Sequence, residues 1–423
     1  MTVANSSQNH YHNGSRNGHL DRNAFDVDEA RCQFPGLSQD AVAFNNAHGT
    51  VVYQGCIEAV AKEMASYPFE LGSDDPRGKQ REANLTQQRA ELAAFMNAEV
   101  DELAFGQSTT LLLRSLGQAL RPKMDEESEM IVSLLDHEAS ATSWLALAKS
   151  LGIEIKWWVP PPGDDPCLSL DTLRPLLSSK TRIVACNHVS NVVGTIHPIR
   201  EIADLVHTIP GAVVVVDGVS YAPHRPIDVK ALDVDFYCFS WYKVYGPHIA
   251  QLYGRREVQK RLITHISHSF LAGWPGFDWR LRIGMNTFEL EMGLVPITRH
   301  IKSVGWDNIV AQETVLLDVL LSHLRQHPDK YRIFGETTPD PDRRVSLVTF
   351  KALGKPSRGI MNWVHQNSRF RIDAGSCFAP RPTHEVLKLD SGGLIRVSFV
   401  HYNTVQEVEE FCEVLEKAVT LVE

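Results

Sequence analysis

A short valine run sets the architecture. Gly211 to Val216 reads Gly-Ala-Val-Val-Val-Val and leads directly into Asp217-Gly218. Consecutive β-branched residues favour extended backbone, and the run is too short to span a membrane. It also lacks the polar-apolar alternation of a sheet with one wet face. A strand buried on both faces, as in a parallel sheet covered by helices, accounts for it. Asp217 then stands at the C-terminal end of that strand, where open α/β sheets bind their ligands.

A second apolar run, Phe236 to Phe239, precedes Ser240-Trp241-Tyr242-Lys243, and Gly246-Pro247 marks a turn before an extended pattern over Ile249 to Tyr253. Lys243 is thus an amine at the edge of a rigid element, facing the same crevice as Asp217. Desolvation there lowers a lysine pKa and favours the neutral nucleophile that condenses with an aldehyde. A strand-end lysine in solvent is the competing reading.

Upstream, Phe-Gly-Gln-Ser-Thr-Thr opens a helix in which Leu112, Leu113, Leu116 and Leu120 recur at helical spacing. Ser108, Thr109 and Thr110 lie at its N-terminus, where free N–H groups and the dipole suit a phosphate; ordinary N-capping is the alternative. Glu129 to Leu135, Ala139 to Ser150 and Ile153 to Val159 read as a β-α-β unit with Asp136-His137 at its first crossover. Arg182 to Val189 is a further strand, followed by His188-Val189-Ser190-Asn191-Val192-Val193-Gly194-Thr195 and a helix from Pro198. A helix over Trp306 to Gln326, strands at Arg344 to Phe350 and Leu394 to Phe399, and a helix over Val405 to Val422 form the C-terminal part. On its last strand Arg396 interrupts an apolar alternation and offers a fork for a carboxylate.

These segments resemble the class V aminotransferase and cysteine desulfurase family. The resemblance rests on Asp217-Gly218 followed by Ser240-x-x-Lys243-x-x-Gly246-Pro247, on Asp136-His137-Glu138-Ala139, on His188 to Thr195, and on Arg396-x-Ser398-x-x-x-Tyr402-Asn403-Thr404. It implies the α/β fold type I of pyridoxal 5'-phosphate enzymes: a large domain (25–295) with a mostly parallel sheet under helices, and a smaller C-terminal α+β domain (296–423). It further implies a homodimer. By the same resemblance Lys243 carries the cofactor, Asp217 holds the pyridine nitrogen, His137 stacks on the ring, Asn191 reaches the ring hydroxyl, and Thr109-Thr110 grips the phosphate with Ser108, Ser240 and Tyr242 alongside. Arg396 takes a substrate carboxylate, and the Asn46-Ala47-His48 loop lies near the substrate. In its most detailed form the resemblance extends to fungal decarboxylative aldolases within that family. These remove the side-chain carboxylate of L-aspartate as carbon dioxide and add the freed carbon to an aldehyde, giving a γ-hydroxy-α-amino acid. A cysteine desulfurase or C–S lyase is the alternative.

Three departures bear on that choice. Trp241-Tyr242 replaces the Gly-His that precedes the lysine of sulfur-releasing enzymes. Met285 stands where the family places a threonine that reaches the neighbouring subunit's phosphate. Cys377 lies close to the sulfur-accepting cysteine of desulfurases, but in Arg371-Ile372-Asp373-Ala374-Gly375-Ser376-Cys377-Phe378-Ala379-Pro380 it is one residue farther from its arginine. A persulfide carrier needs an accessible thiolate, and the stiff apolar flank favours Cys377 as a small wall residue of the substrate pocket.

Composition agrees with a small-molecule enzyme. A formal charge of −9 without a long basic run argues against nucleic acid. Residues 1–24 read as a disordered tail with neither a signal peptide nor a membrane anchor, and its His10, His12 and His19 lack fixed metal geometry. The seven cysteines include no Cys-x-x-Cys pair, which fits reduced thiols and a cytoplasmic setting.

Overall fold

The computed structural model describes residues 25–37, 40–66, 74–284 and 287–423. The expected tail and the Met285 departure lie outside these residues. Among them the strands are β1 (Val42–Ala43), β2 (Leu103–Gly106), β3 (Glu129–Ser133), β4 (Ile155–Trp158), β5 (Thr181–Asn187), β6 (Val213–Asp217), β7 (Phe236–Ser240), β8 (Ala250–Gly254), β9 (Tyr331–Phe334), β10 (Leu347–Ala352), β11 (Phe370–Arg371), β12 (Asp373–Gly375) and β13 (Leu394–Ser398).

The larger sheet has seven strands in the order β2-β8-β7-β6-β5-β3-β4. Strands β4, β3, β5, β6 and β7 run parallel; β8 pairs antiparallel with β7, and β2 antiparallel with β8 at the edge. The valine run shows why this sheet needs cover on both sides. Val213 and Val215 belong to one apolar cluster and Val214 and Val216 to another, because successive side chains point to opposite faces. Ile183 and Ala185 against Val184 and Cys186, and Phe236 and Cys238 against Tyr237 and Phe239, divide the same way. Each buried valine contributes roughly 1.5 kcal/mol or more relative to exposure. Helices Thr109–Leu120 and Glu138–Leu151 cover one face, through Leu112, Leu116, Trp144 and Leu147. Helix Ile199–Val206 covers the other with Ile199, Ile202 and Val206.

The smaller sheet is antiparallel throughout, in the order β12-β13-β10-β9. Helices Trp306–Gln326 and Val405–Leu421 pack together and supply Leu316, Leu320, Phe411 and Leu415 to its core. The N-terminal segment joins this layer: β1 pairs in parallel with β11, and Val42 and Phe44 sink into the same cluster. The chain's early residues are thereby packed against its late ones, a long-range pairing that local patterning does not show. Among the described residues no helix is long and apolar enough to cross a membrane.

The two layers meet at the loop after β5. Gly194 has φ 79°, its N–H donates to the Ser190 carbonyl (2.8 Å), and its carbonyl accepts from Val345 N–H (3.0 Å). A Cβ at this position would lie 2.8 Å from the Leu347 carbonyl oxygen. Gly194→Ala combines left-handed strain with a backbone clash, and we expect it to cost about 2 kcal/mol. A lowered denaturant midpoint checks this; an unchanged midpoint contradicts it.

Candidate active site

Because β3, β5, β6 and β7 point the same way, their carboxyl ends fall along one edge. Asn187 of β5 is in register with Asp217 of β6, and Asp217 with Cys238 of β7, two residues before Ser240. Beyond that edge lies an inner cavity of about 130 Å³ and an outer one of about 590 Å³. His137, Asn191, Tyr242 and Lys243 line both.

Lys243 ends a single 3₁₀ turn, Trp241–Lys243, that follows β7, and it is 7% exposed. The surface reading of this lysine is therefore excluded. Burial depresses its pKa to about 8, the Arg396 guanidinium adds to the effect, and Asp217 opposes it. Asp217 is buried and accepts the Val219 N–H at 2.9 Å. Burial raises its pKa, while that N–H and the Lys243 amine pull it back down.

The first crossover supplies His137, N-cap of the Glu138–Leu151 helix, whose Nδ1 accepts the Ala139 N–H at 3.0 Å. A backbone N–H can only donate, so Nδ1 carries the lone pair and the neutral ring is protonated at Nε2. Burial, then Lys243 and Arg396, lowers its pKa to about 4, so the ring is neutral at pH 7. Neighbouring Asp136 is buried, bonds Ser140 Oγ at 2.7 Å through Oδ2, and is pushed up to about 8 mainly by burial.

At the other end of the inner cavity, Ser108 caps the Thr109–Leu120 helix by accepting the Leu111 N–H at 3.2 Å. Thr109 Oγ1 and Ser240 Oγ lie 2.6 Å apart, joining that helix to the end of β7, and Thr110 completes the lining. All nine residues expected at a cofactor line this one cavity: Ser108, Thr109, Thr110, His137, Asn191, Asp217, Ser240, Tyr242 and Lys243.

The outer cavity draws on the smaller sheet. Arg396 of β13 is 2% exposed; its Nη1 donates to the Asn191 carbonyl (2.9 Å) and its Nη2 to Asp373 Oδ2 (2.8 Å) and Asn45 Oδ1 (3.3 Å). Cys377 and Phe378 have φ of 51° and 58°, a strained pair for residues with side chains. Asn191 Nδ2 donates to the Cys377 carbonyl at 3.0 Å and helps to hold that turn. Cys377 consequently faces inward, 5% exposed, while Phe378 stands 61% exposed beside the His48 ring. Burial pushes the Cys377 thiol up to about 11; Arg396 lowers it, and Asp373 raises it by charge and by a hydrogen bond.

Ala47 and His48 line the outer cavity as expected, but Asn46 does not. Its side chain is spent on structure: Nδ2 donates to the carbonyls of Ala43 (2.8 Å) and Ser398 (2.9 Å), and Oδ1 accepts from the Tyr402 hydroxyl. His188 also packs, stacked on Tyr221 at 3.7 Å with Nδ1 2.9 Å from the Tyr237 hydroxyl. Three further residues join the site: Asn187 lines the inner cavity, His248 lines the outer one, and Asp373 bonds Arg396. Asn187 carries the same sequence signal as Asp217, since both close parallel strands. His248 follows the Gly246-Pro247 turn and stacks on Tyr242 (4.9 Å, 9° between planes). Asp373 gave no local signal.

The donor set fits pyridoxal phosphate: a capped helix N-terminus with two threonines at one end, a buried carboxylate at the other, a neutral imidazole between them and a depressed amine. The buried Asn191 Oδ1, which has no partner among the described residues, is a further unspent polar group at this cavity. Fold and site together define a type I pyridoxal phosphate enzyme. The profile of the class-V aminotransferase family matches residues 44–411, and the chain belongs to that family, whose cofactor is pyridoxal phosphate. It is 66% identical over 386 residues to the nonribosomal peptide synthetase-like enzyme fsqF of Aspergillus fumigatus, a match covering 91% of this chain and 26% of that protein. It thus spans about a quarter of fsqF's length. It is 52% identical over 406 residues to the cysteine desulfurase-like protein ustD of Aspergillus flavus, covering 94% and 92% of the two. In fold it is similar to the cysteine desulfurase CsdA of Escherichia coli, with a TM-score of 0.82 at 24% identity over 95% of this chain and all of that one.

The Lys243 amine sets a pH dependence. Its folded-state pKa of about 8 lies below the ordinary lysine value of 10.5, so the protonated form is disfavoured in the folded apoprotein. Raising the pH through 8 therefore frees the nucleophile while relieving the cost of a buried charge. We expect covalent uptake of pyridoxal phosphate by apoprotein, followed by visible absorbance, to rise with a midpoint near 8, and Arg396→Gln to shift that midpoint upward. A midpoint at the ordinary 10.5 contradicts this assignment.

Proposed function

We propose that the protein removes the side-chain carboxylate of L-aspartate as carbon dioxide and joins the freed Cβ to an aldehyde, producing a γ-hydroxy-α-amino acid. The observation that carries this reading over cysteine desulfuration is the state of Cys377. A buried thiol held at a pKa of about 11, mainly by burial, is a poor sulfur acceptor at neutral pH. Loss of carbon dioxide needs no thiol acceptor. An outer cavity of about 590 Å³ beside the amine, with room for a second substrate, supports it.

Bound pyridoxal phosphate supplies an electron sink conjugated to the substrate's Cα. Lys243 would hold the cofactor and would move the proton at the substrate's Cα. Asp217 would keep the pyridine nitrogen protonated, His137 would cover the ring as a neutral imidazole, and Thr109, Thr110, Ser108 and Ser240 would hold the phosphate. Asn191 would meet the ring hydroxyl, with Tyr242 beside it, and Arg396 would receive a carboxylate. Ala47, His48 and Cys377 shape the space for the aldehyde. The balance closes without an oxidant: the Cβ–carboxyl bond breaks, its electron pair forms the bond to the aldehyde carbon, and the resulting oxygen anion takes one proton. We further propose that the enzyme works as a homodimer in fungal secondary metabolism, by analogy with its relatives.

We expect carbon dioxide from L-aspartate, a new carbon–carbon bond when an aldehyde is supplied, and little sulfide from L-cysteine. Sulfide and alanine formed much faster than carbon dioxide would establish the desulfurase alternative. Cys377→Ala should leave decarboxylation and addition within about tenfold, a barrier change of only ~1.4 kcal/mol. Abolished turnover with normal cofactor loading would make the thiol chemical. Sedimentation analysis should give twice the chain mass; an active monomer refutes the dimer.

A further inference from the structure

Arg396 is already paired. A guanidinium has five N–H donors and no acceptor. Here Nη1 donates to the Asn191 carbonyl, Nη2 to Asn45 Oδ1 and Asp373 Oδ2, and Nε is buried without a partner among the described residues. The carboxylate contact is single, at 2.8 Å, rather than a two-pronged fork. Donors therefore remain for a second carboxylate, and Arg396 lines the outer cavity from which one would arrive.

Asp373 reaches this position through strand pairing. β12 and β13 are antiparallel with Asp373 directly opposite Arg396, and a cross-strand neighbour stands within reach of a charged partner. The Asp373 side chain is 19% exposed, so it can turn toward solvent, whereas Arg396 at 2% cannot. The same carboxylate also acts on Cys377, raising its thiol pKa, at the strained turn of the cavity wall.

We propose that Asp373 is a specificity-determining residue of this site, an internal carboxylate that competes with the substrate's carboxylate for Arg396. This rests on Arg396 being the carboxylate receptor of the proposed reaction. Two carboxylates beside one guanidinium repel each other, so Asp373 weakens the binding of every carboxylate ligand at Arg396. A ligand that keeps its place must engage donors Asp373 leaves free, which favours a carboxylate placed by a second anchor over one that binds by charge alone. A bracing role, in which Asp373 only fixes the arginine's orientation, has the opposite consequence: removing its charge loosens the receptor and weakens binding.

The sign of the change decides between the two. Succinate, a dicarboxylate with no amine to react, is titrated calorimetrically into holoenzyme. Asp373→Asn keeps shape and an acceptor but removes the charge, and is expected to bind succinate about tenfold more tightly than the wild type. Asp373→Ser, which is smaller, should shift in the same direction, and matched cofactor absorbance and circular dichroism establish that each variant is folded. Equal or weaker succinate binding by folded Asp373→Asn overturns the inference. The Arg396→Gln variant separates this inference from the proposed function. Loss of succinate binding in Arg396→Gln supports the receptor, while binding insensitive to Arg396→Gln removes the receptor and the competition and leaves the reaction to be judged by carbon dioxide release from aspartate. Tighter succinate binding in Asp373→Asn, with no carbon dioxide released from aspartate by wild type, upholds the competition and refutes the reaction.

Discussion

The site depends on one geometric constraint: parallel strands buried on both faces must end together. A strand such as β6, with valines in two separate apolar clusters, has no polar face along its length. Its chemistry is confined to the carboxyl edge, where Asn187, Asp217 and Ser240 emerge from neighbouring strands. Covering helices bring their N-termini toward that edge, which is why the capped start of Thr109–Leu120 and the His137 cap of Glu138–Leu151 line the same cavity as Lys243.

Desolvation is the price of that confinement and also the source of reactivity. The same burial lowers the Lys243 amine, lowers the His137 imidazole and raises the Asp217 and Cys377 acids. In each case the neutral form gains. A neutral amine is a nucleophile and a neutral imidazole can lie against a cationic ring, whereas a neutral thiol is a weak one. One physical effect thus prepares the lysine and quiets the cysteine.

The smaller sheet acts on the site from outside. Arg396 and Cys377 come from it, and both are held by groups of the larger part: the Asn191 carbonyl and amide reach Arg396 and Cys377 respectively. Asn191 therefore couples the two layers at the cavity. The Gly194 turn, whose left-handed φ admits the Leu347 carbonyl at close range, fixes the loop that carries it.

Much of this was legible in the chain itself. Valines 213 to 216 dictated a doubly buried strand, leucines at helical spacing dictated the helix behind Thr109, and Asp217 and Lys243 followed from where apolar runs stop. These are local signals, since periodicity and the end of a run involve residues a few positions apart. What tertiary structure decided involves residues hundreds of positions apart. Asn46 looked like a site residue, but pairing with Ser398 turned its side chain into a brace. Val42 and Phe44 joined the C-terminal core because β1 found β11. Asp373, one polar residue among many, acquired meaning only when antiparallel register placed it opposite Arg396. Sequence fixes which groups can do chemistry at an edge; register and domain packing fix which of them meet, because contact energies depend on distance in space and not along the chain.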